Sequence, residues 1–203
     1  MYFTADRRWA GRTVACIASG PSLTAADCEA VRRAQLPAIA INNVGLDMAP
    51  WASVHYACDA AWWRAHPEAL AADRLKICLD GKPPAGVHKM RCVSGTGFDD
   101  RRDTLRAGRN SGHQAVHLAG HFGARRIVLL GYDMQPGRAG IHYHGAHKTR
   151  PNPAARDLRQ WCELFHPLAQ ALYARGVEVV NCSRETALRA FPQAALEDVL
   201  CAA

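Results

Sequence analysis

The sequence predicts an α/β protein built on one Rossmann-like, doubly wound, mainly parallel sheet with helices on both faces. Three observations lead there. Short apolar, β-branched runs alternate with helix-length amphipathic stretches from Thr13 almost to the end of the chain, the pattern of parallel crossovers. The first run is followed at once by Ser19-Gly20-Pro21-Ser22-Leu23, a glycine-containing turn that opens a helix. The stretch from Gly108 to Asp133 reads as a loop, a helix and a buried strand ending in a polar residue, the place where open α/β sheets bind ligands. At 203 residues, 49% hydrophobic and 21% charged, the chain fits a single nucleotide-binding domain over residues 1–203, with no linker or repeat to divide it.

In chain order, Thr13 to Ala18 is the first strand, and a helix follows from Thr24 to Arg33 with Thr24 and Asp27 at capping-box spacing. Between them Gly20 lets backbone approach a ligand, while Pro21 fixes the turn and gives up its N–H. The turn has neither the G-x-G-x-x-G fingerprint nor a Walker lysine, so dinucleotide and P-loop readings are unsupported. Ala38 to Ile41 is the second strand, ending at Asn42-Asn43, whose amides suit a base or ribose as well as an ordinary turn. Ser53 to Cys58 is the third, ending in Asp59, and a helix from Ala60 to Ala72 carries Trp62 and Trp63 as packing residues. Leu75 to Leu79 is a fourth strand and Val87 to Val93 a short fifth. Ser94 to Gly108 is a charged connection, where Phe98-Asp99-Asp100 beside Arg101 and Arg102 reads as solvated surface rather than a metal loop.

The central stretch starts with the loop Gly108 to Asn110. Ser111 and Gln114 have capping-box spacing, so the helix is expected to start at Gly112, with Gly123 at its C-terminal end. Free N–H groups and the positive end of that helix attract phosphate, and Arg109 adds a two-pronged cation; a plain helix cap with a surface arginine is the equal alternative. His113, His117 and His121 share one helical face, a packed or solvated stripe in which only His113 lies near a ligand. Ile127 to Leu130 is a buried strand that ends at Gly131-Tyr132-Asp133. A lid loop of about residues 134–152 then carries Ile141-His142-Tyr143-His144-Gly145-Ala146-His147-Lys148, a concentration of groups able to act as general base, to hold a metal, or simply to face water. Pro153 to Arg175 is a long helix kinked or split at Pro167, and Val177 to Val180 the last strand. A short helix from Glu185 to Ala190 and another from Gln193 close the chain.

A net charge of +7 favours an anionic partner, and the arginines fall in scattered pairs (Arg7-Arg8, Arg32-Arg33, Arg101-Arg102, Arg125-Arg126) that define no single basic face. Nucleic acid is therefore an open partner without positive support. Eight cysteines stand singly with no C-x-x-C pair, which excludes zinc-ribbon and thioredoxin readings and makes them reduced core residues. With no signal peptide and no apolar run near 20 residues, a cytoplasmic protein without a membrane partner is expected, and self-association is left open.

Gly-Pro-Ser-Leu after the first strand, Asn42 after the second, Ser111-Gly112 opening the central helix, Gly-Tyr-Asp after the next strand, the histidine loop and Asn-Cys-Ser before Leu-Arg-Ala-Phe-Pro together resemble one superfamily. It joins the bacterial family 42 sialyltransferases to the DUF115 proteins, which include flagellin-modification proteins and archaeal 6-hydroxymethyldihydropterin diphosphokinases; compact versions resemble phage and prophage reading frames. The likeness spans Thr13 to Pro192 and runs without a gap from Ser111 to Asp133. It implies a nucleotide transferase in which Gly20, Pro21, Ser22, Asn42 and Asn43 hold the nucleotide. Asp59, Ser111, Gly112 and Asp133 complete that site. Arg109 and Tyr143 would face the leaving phosphate, and His147, with His144 second, would be the base; the family's other phosphate-binding tyrosine falls near Gln135. The first implied activity is sugar transfer from a nucleotide donor to an acceptor hydroxyl, with no cofactor. The alternatives are an ATP-dependent diphosphokinase using Mg²⁺ on Asp59 and Asp133, and a non-catalytic nucleotide-binding phage protein.

Overall fold

The computed structural model describes residues 1–138, 140–145 and 152–201. Among the described residues nine strands are distributed over two sheets. Strands β1 (Thr13–Ile17), β2 (Ala38–Ile41), β3 (Val54–Tyr56), β4 (Leu75–Cys78) and β5 (His88–Lys89) step outward in sequence to one side. After the excursion through β6 (Arg91–Val93) and β7 (Thr104–Arg106), which pair with each other, the chain returns to the other side of β1 as β8 (Arg126–Leu130) and β9 (Glu178–Asn181). The seven-stranded sheet thus has the order β5-β4-β3-β2-β1-β8-β9 with every pair parallel, the expected doubly wound architecture.

Side chains alternate across the sheet and so sort the helices. Val14, Cys16, Ile39, Tyr56, Ile127 and Leu129 point to the face covered by α4 (Ser111–His121) and α5 (Ala155–Tyr173). Ala15, Ile17, Ala38, Ala40, Val128 and Leu130 point to the other, covered by α1 (Ala25–Arg33), the single turn α2 (Val44–Asp47) and α6 (Leu196–Cys201). α3 (Ala60–Ala65) packs Trp63 against Ala57 and Cys78 at the β4 side.

Several expectations on element boundaries change. Thr24 and Asp27 form the capping box as read, with Thr24 Oγ1 accepting from Asp27 N–H and the Asp27 carboxylate accepting from Thr24 N–H. In α4 the cap is instead Asn110, whose Oδ1 accepts from His113 N–H at 2.9 Å, so the helix starts at Ser111. Gln114 reaches away, accepting from Tyr56 Oη and donating to the Ala107 carbonyl. Pro67 ends α3 early and leaves a single 3-10 turn (Pro67–Leu70), and Met90 divides the expected fifth strand into β5 and β6 of different sheets. The charged connection contains β7, which was not read. α5 continues through Pro167 without a break, because the N–H that proline lacks falls on the exposed side of the helix. The expected helix from Glu185 to Ala190 does not form. There Asn181, Ser183 and Thr186 bind backbone groups themselves, Thr186 Oγ1 donating to the Tyr132 carbonyl and accepting from Leu188 N–H. Cys92 and Cys201 are exposed rather than core residues. Among the described residues no helix is long and apolar enough to cross a membrane.

Candidate functional site

The winding reverses between β1 and β8, and at the carboxyl edge the turns after those two strands cross at close range. Gly20 N–H donates to the Gly131 carbonyl at 2.8 Å. A Cβ on Gly20 would overlap the Asp133 carboxylate, and one on Gly131, where φ is +68°, would overlap the Ala18 carbonyl. Both glycines are thus required by backbone approach. Asp133, 1% exposed, accepts from Ser22 N–H at 2.7 Å and from Ser22 Oγ at 2.9 Å, and burial raises its pKa to about 6. Ser22 and Asp133 therefore satisfy each other beneath the turn, away from the cleft wall.

Beside this crossing lies a cleft of about 660 Å³, of the size that takes a small-molecule ligand. It follows the carboxyl ends of β1 to β4 and β8, bounded by Gly20, Asn42, Asp59 and Asp80, and the N-terminal turn of α4 opens into it with Arg109, Ser111 and Gly112. The lid loop contributes Met134, Gln135, Ile141 and His142, and α5 contributes Asp157 and Trp161. Tyr132, fully buried, lies under that turn of α4, with its hydroxyl donating to the Gly112 carbonyl and its ring where a Gly112 side chain would be.

Backbone strain collects at this cleft. Among the described residues four that are not glycine have positive φ, and three of them, Asn42 (+52°), Arg109 (+60°) and Met134 (+51°), line it. Such conformations persist where surrounding contacts enforce them, and they cluster at ligand sites. For Asn42 the enforcing contact is visible. Its carbonyl meets His55 Nε2 at 2.8 Å, and Arg74 donates to His55 Nδ1 at 2.9 Å, so the ring is neutral with its proton on Nε2. Burial, reinforced by Arg74, lowers the His55 pKa to about 3 and keeps it so at any physiological pH.

The other sequence candidates fall as follows. Pro21 lies off the cleft wall, packed on Gly137 of the lid loop. Asn43 accepts from Trp62 Nε1 at 3.1 Å instead of facing the cleft. Tyr143 also points elsewhere, its hydroxyl donating to Asp47, while His144 stacks on His142 with ring centroids 5.0 Å apart. His142 Nδ1 meets Ser19 Oγ at 3.0 Å. His147 lies outside the described residues. Asp59 and Asp133 cannot share one Mg²⁺: three strand spacings, roughly 14 Å, separate the ends of β3 and β8. Asp80, at the end of the adjacent strand and in a parallel bridge with Asp59, is the carboxylate beside it. Among the described residues no group of three or more His, Cys, Asp or Glu could hold a metal.

The histidine stripe of α4 is internal. His117 contacts the backbone of Asp99 and Arg106, His121 Nε2 the Thr104 carbonyl, and together they hold β7 to the helix. His113 is fully buried against Phe165 and over Gly108, with neither ring nitrogen partnered, and burial lowers its pKa to about 4. Asp80 was open to the same rule that found Asp59, a polar residue ending a strand. Trp161 and Asp157 carried no local signal, since the stripe of α5 looks the same whether or not it borders a cleft. No model of a known protein family matches the chain, and no curated protein matches it in sequence.

Proposed function

We propose that the chain is a nucleotide-dependent transferase, and specifically a glycosyltransferase moving a sugar from a nucleotide donor to an acceptor hydroxyl. One observation carries the reading: the N-terminal turn of α4, with Arg109 beside it, opens into a ligand-sized cleft at the switch point of a doubly wound sheet. The donor phosphate sits on the N–H groups of Ser111 and Gly112, which lie too early in the helix to have intrahelical partners, and on the Arg109 guanidinium. These groups stabilise charge as the nucleotide leaves. Asn42, held by His55, and the backbone at Gly20 receive the nucleoside. The acceptor proton passes to a histidine of the lid loop. His142 stands on the cleft wall with Nδ1 at Ser19 Oγ and Nε2 shut off from solvent; His144 stacks on it, and His147, the first choice for the base, rests on the resemblance alone. Tyr143, turned to Asp47, leaves phosphate stabilisation to Arg109 and the helix.

Asp59 and Asp80 favour a second reading. Two carboxylates on neighbouring strand ends of the same cleft, completed by substrate phosphates, match the way Mg²⁺ is held in phosphoryl-transfer sites, and they would supply a diphosphokinase with its cation. Calorimetry and thermal shift against CMP, CDP, UDP, GDP, ADP and ATP, each with Mg²⁺ and with EDTA, separate the two. Metal-independent binding that Asn42→Ala and Arg109→Gln both weaken supports sugar transfer. Binding of ATP that needs Mg²⁺ and is lost in Asp80→Asn moves the assignment to diphosphate transfer, and no binding removes both.

A further inference from the structure

A second cavity, of about 490 Å³, lies at the opposite, amino edge of the sheet, bounded by the C-terminal ends of α4 and α5. Arg7, Arg102, Arg125 and Arg175 line it. The first three come from arginine pairs far apart in the chain, and each pair divides in the same way. Arg8 is bound to Asp6 at 2.6 Å, Arg101 to Asp99 at 2.9 Å and Arg126 to Glu178 at 2.7 Å. Their neighbours Arg7, Arg102 and Arg125 have no ion pair among the described residues and line the cavity.

Arg175 is neutralised by Asp100, through contacts of 2.9–3.1 Å, and lies over the Phe98 ring. That pair also cancels the one carboxylate on the wall. His121 adds no charge at neutral pH, since burial lowers its pKa and outweighs its bond to the Thr104 carbonyl. The two helix C-termini contribute partial charges of about −0.5 each, which three unpaired guanidinium groups exceed. The cavity is therefore strongly positive without a ligand. Guanidinium forks match phosphate oxygens, and a concave pocket of this volume suits a compact molecule better than a strand laid along a surface.

We propose that this cavity binds a compact, multiply phosphorylated anion. The proposal is independent of the reaction assigned to the cleft, although α4 reaches both sites: its first turn opens into one and its last borders the other, about 16 Å apart along 11 residues.

The probe is inorganic tripolyphosphate, titrated calorimetrically at low and at physiological salt into the wild type, into Arg102→Gln/Arg125→Gln and into Arg109→Gln. The exposed arginines leave folding intact when neutralised, which the ligand-free melting curves verify. The expected result is binding that weakens with salt and falls about tenfold or more in the double variant; Arg109→Gln removes any second phase at the cleft and leaves this one in place. Absence of binding at low salt overturns the proposal, as does a loss that tracks Arg109 instead. Preferential binding of a single-stranded oligonucleotide through Arg102 and Arg125 would replace the compact ligand with a nucleic-acid strand and overturn it as well.

Discussion

The two edges of the sheet are both concave, yet they are made by opposite means. At the carboxyl edge backbone does the shaping: two glycines cross in contact, three residues are held at positive φ, and among the described wall residues one arginine, Arg109, which donates to Gln160, stands with three carboxylates, Asp59, Asp80 and Asp157. At the amino edge side-chain charge dominates: of the four glycines there, Gly11 and Gly176 have nothing within 4 Å of where a Cβ would stand, while Gly120 packs on Phe98 and Gly123 lies beside the Ala10 backbone. A site made of backbone selects by shape and is intolerant of added atoms. One made of long cationic side chains tolerates them and responds to salt.

The largest test of this contrast compares Gly131→Ala with Gly176→Ala. Both positions have positive φ, but only the first adds an overlap with rigid backbone. Urea unfolding should show a loss of about 2–5 kcal/mol at Gly131 and about 1 kcal/mol at Gly176. Equal losses would break the comparison.

Next in size is the pH dependence of α4 and its surroundings. Burial lowers His55 to about 3 and His113 to about 4, and lowers His117 and His121 too, against an unfolded value near 6.5. Between these values the unfolded chain binds the extra protons, so the stability these groups contribute is complete above about pH 6.5 and declines as pH falls. Asp133 acts in the opposite sense: raised to about 6, it favours the fold below its unfolded pKa and loses that contribution as pH rises from about 4 to 6. Four histidines outweigh it, and the protein should be acid-labile. His113→Leu, which removes two unpartnered buried nitrogens, should raise stability by about 1–2 kcal/mol at pH 7.5 and flatten the decline toward pH 5. Denaturation curves at both pH values decide this; an unchanged slope would exclude His113 as a contributor.

Arg109→Gln sharpens the functional side of the comparison. It should weaken nucleotide binding in the cleft by about tenfold or more and leave the melting temperature of the free protein alone, whereas Arg102→Gln should change neither nucleotide binding in the cleft nor the melting temperature. The smallest effect concerns the register of α4. Asn110→Ala should cost about 1 kcal/mol and Ser111→Ala only a few tenths, because Asn110 is the residue that caps. The reverse order in thermal melts would restore Ser111 as the cap.

Where a local rule had no rival, it located its element: the capping box at Thr24, the strand Ala38–Ile41, and the glycine after α4. It failed where neighbouring residues were equally qualified. Asn110 and Ser111 are both good caps, and the choice shows only in the backbone, extended at Asn110 (φ −148°, ψ 154°) and already helical at Ser111. Thr104–Arg106 is too short and charged to read as a strand, and exists because Arg91–Val93 pairs with it while His121 anchors it from α4.

By itself the sequence determined the layered parallel sheet and the strand ends that gather at its carboxyl edge, since periodicity and turn chemistry act over a few residues. Tertiary structure alone decided which polar groups there face a ligand and which face each other. Ser22 and Asp133 are 111 residues apart and consume one another's hydrogen bonds, and Tyr143 spends its hydroxyl on Asp47. Tertiary structure likewise turned one arginine from three of the four scattered pairs toward a common cavity. Arg8 and Arg101 find carboxylates two residues away, at Asp6 and Asp99, but Arg126 finds Glu178 across the sheet, a partner that no local pattern encodes.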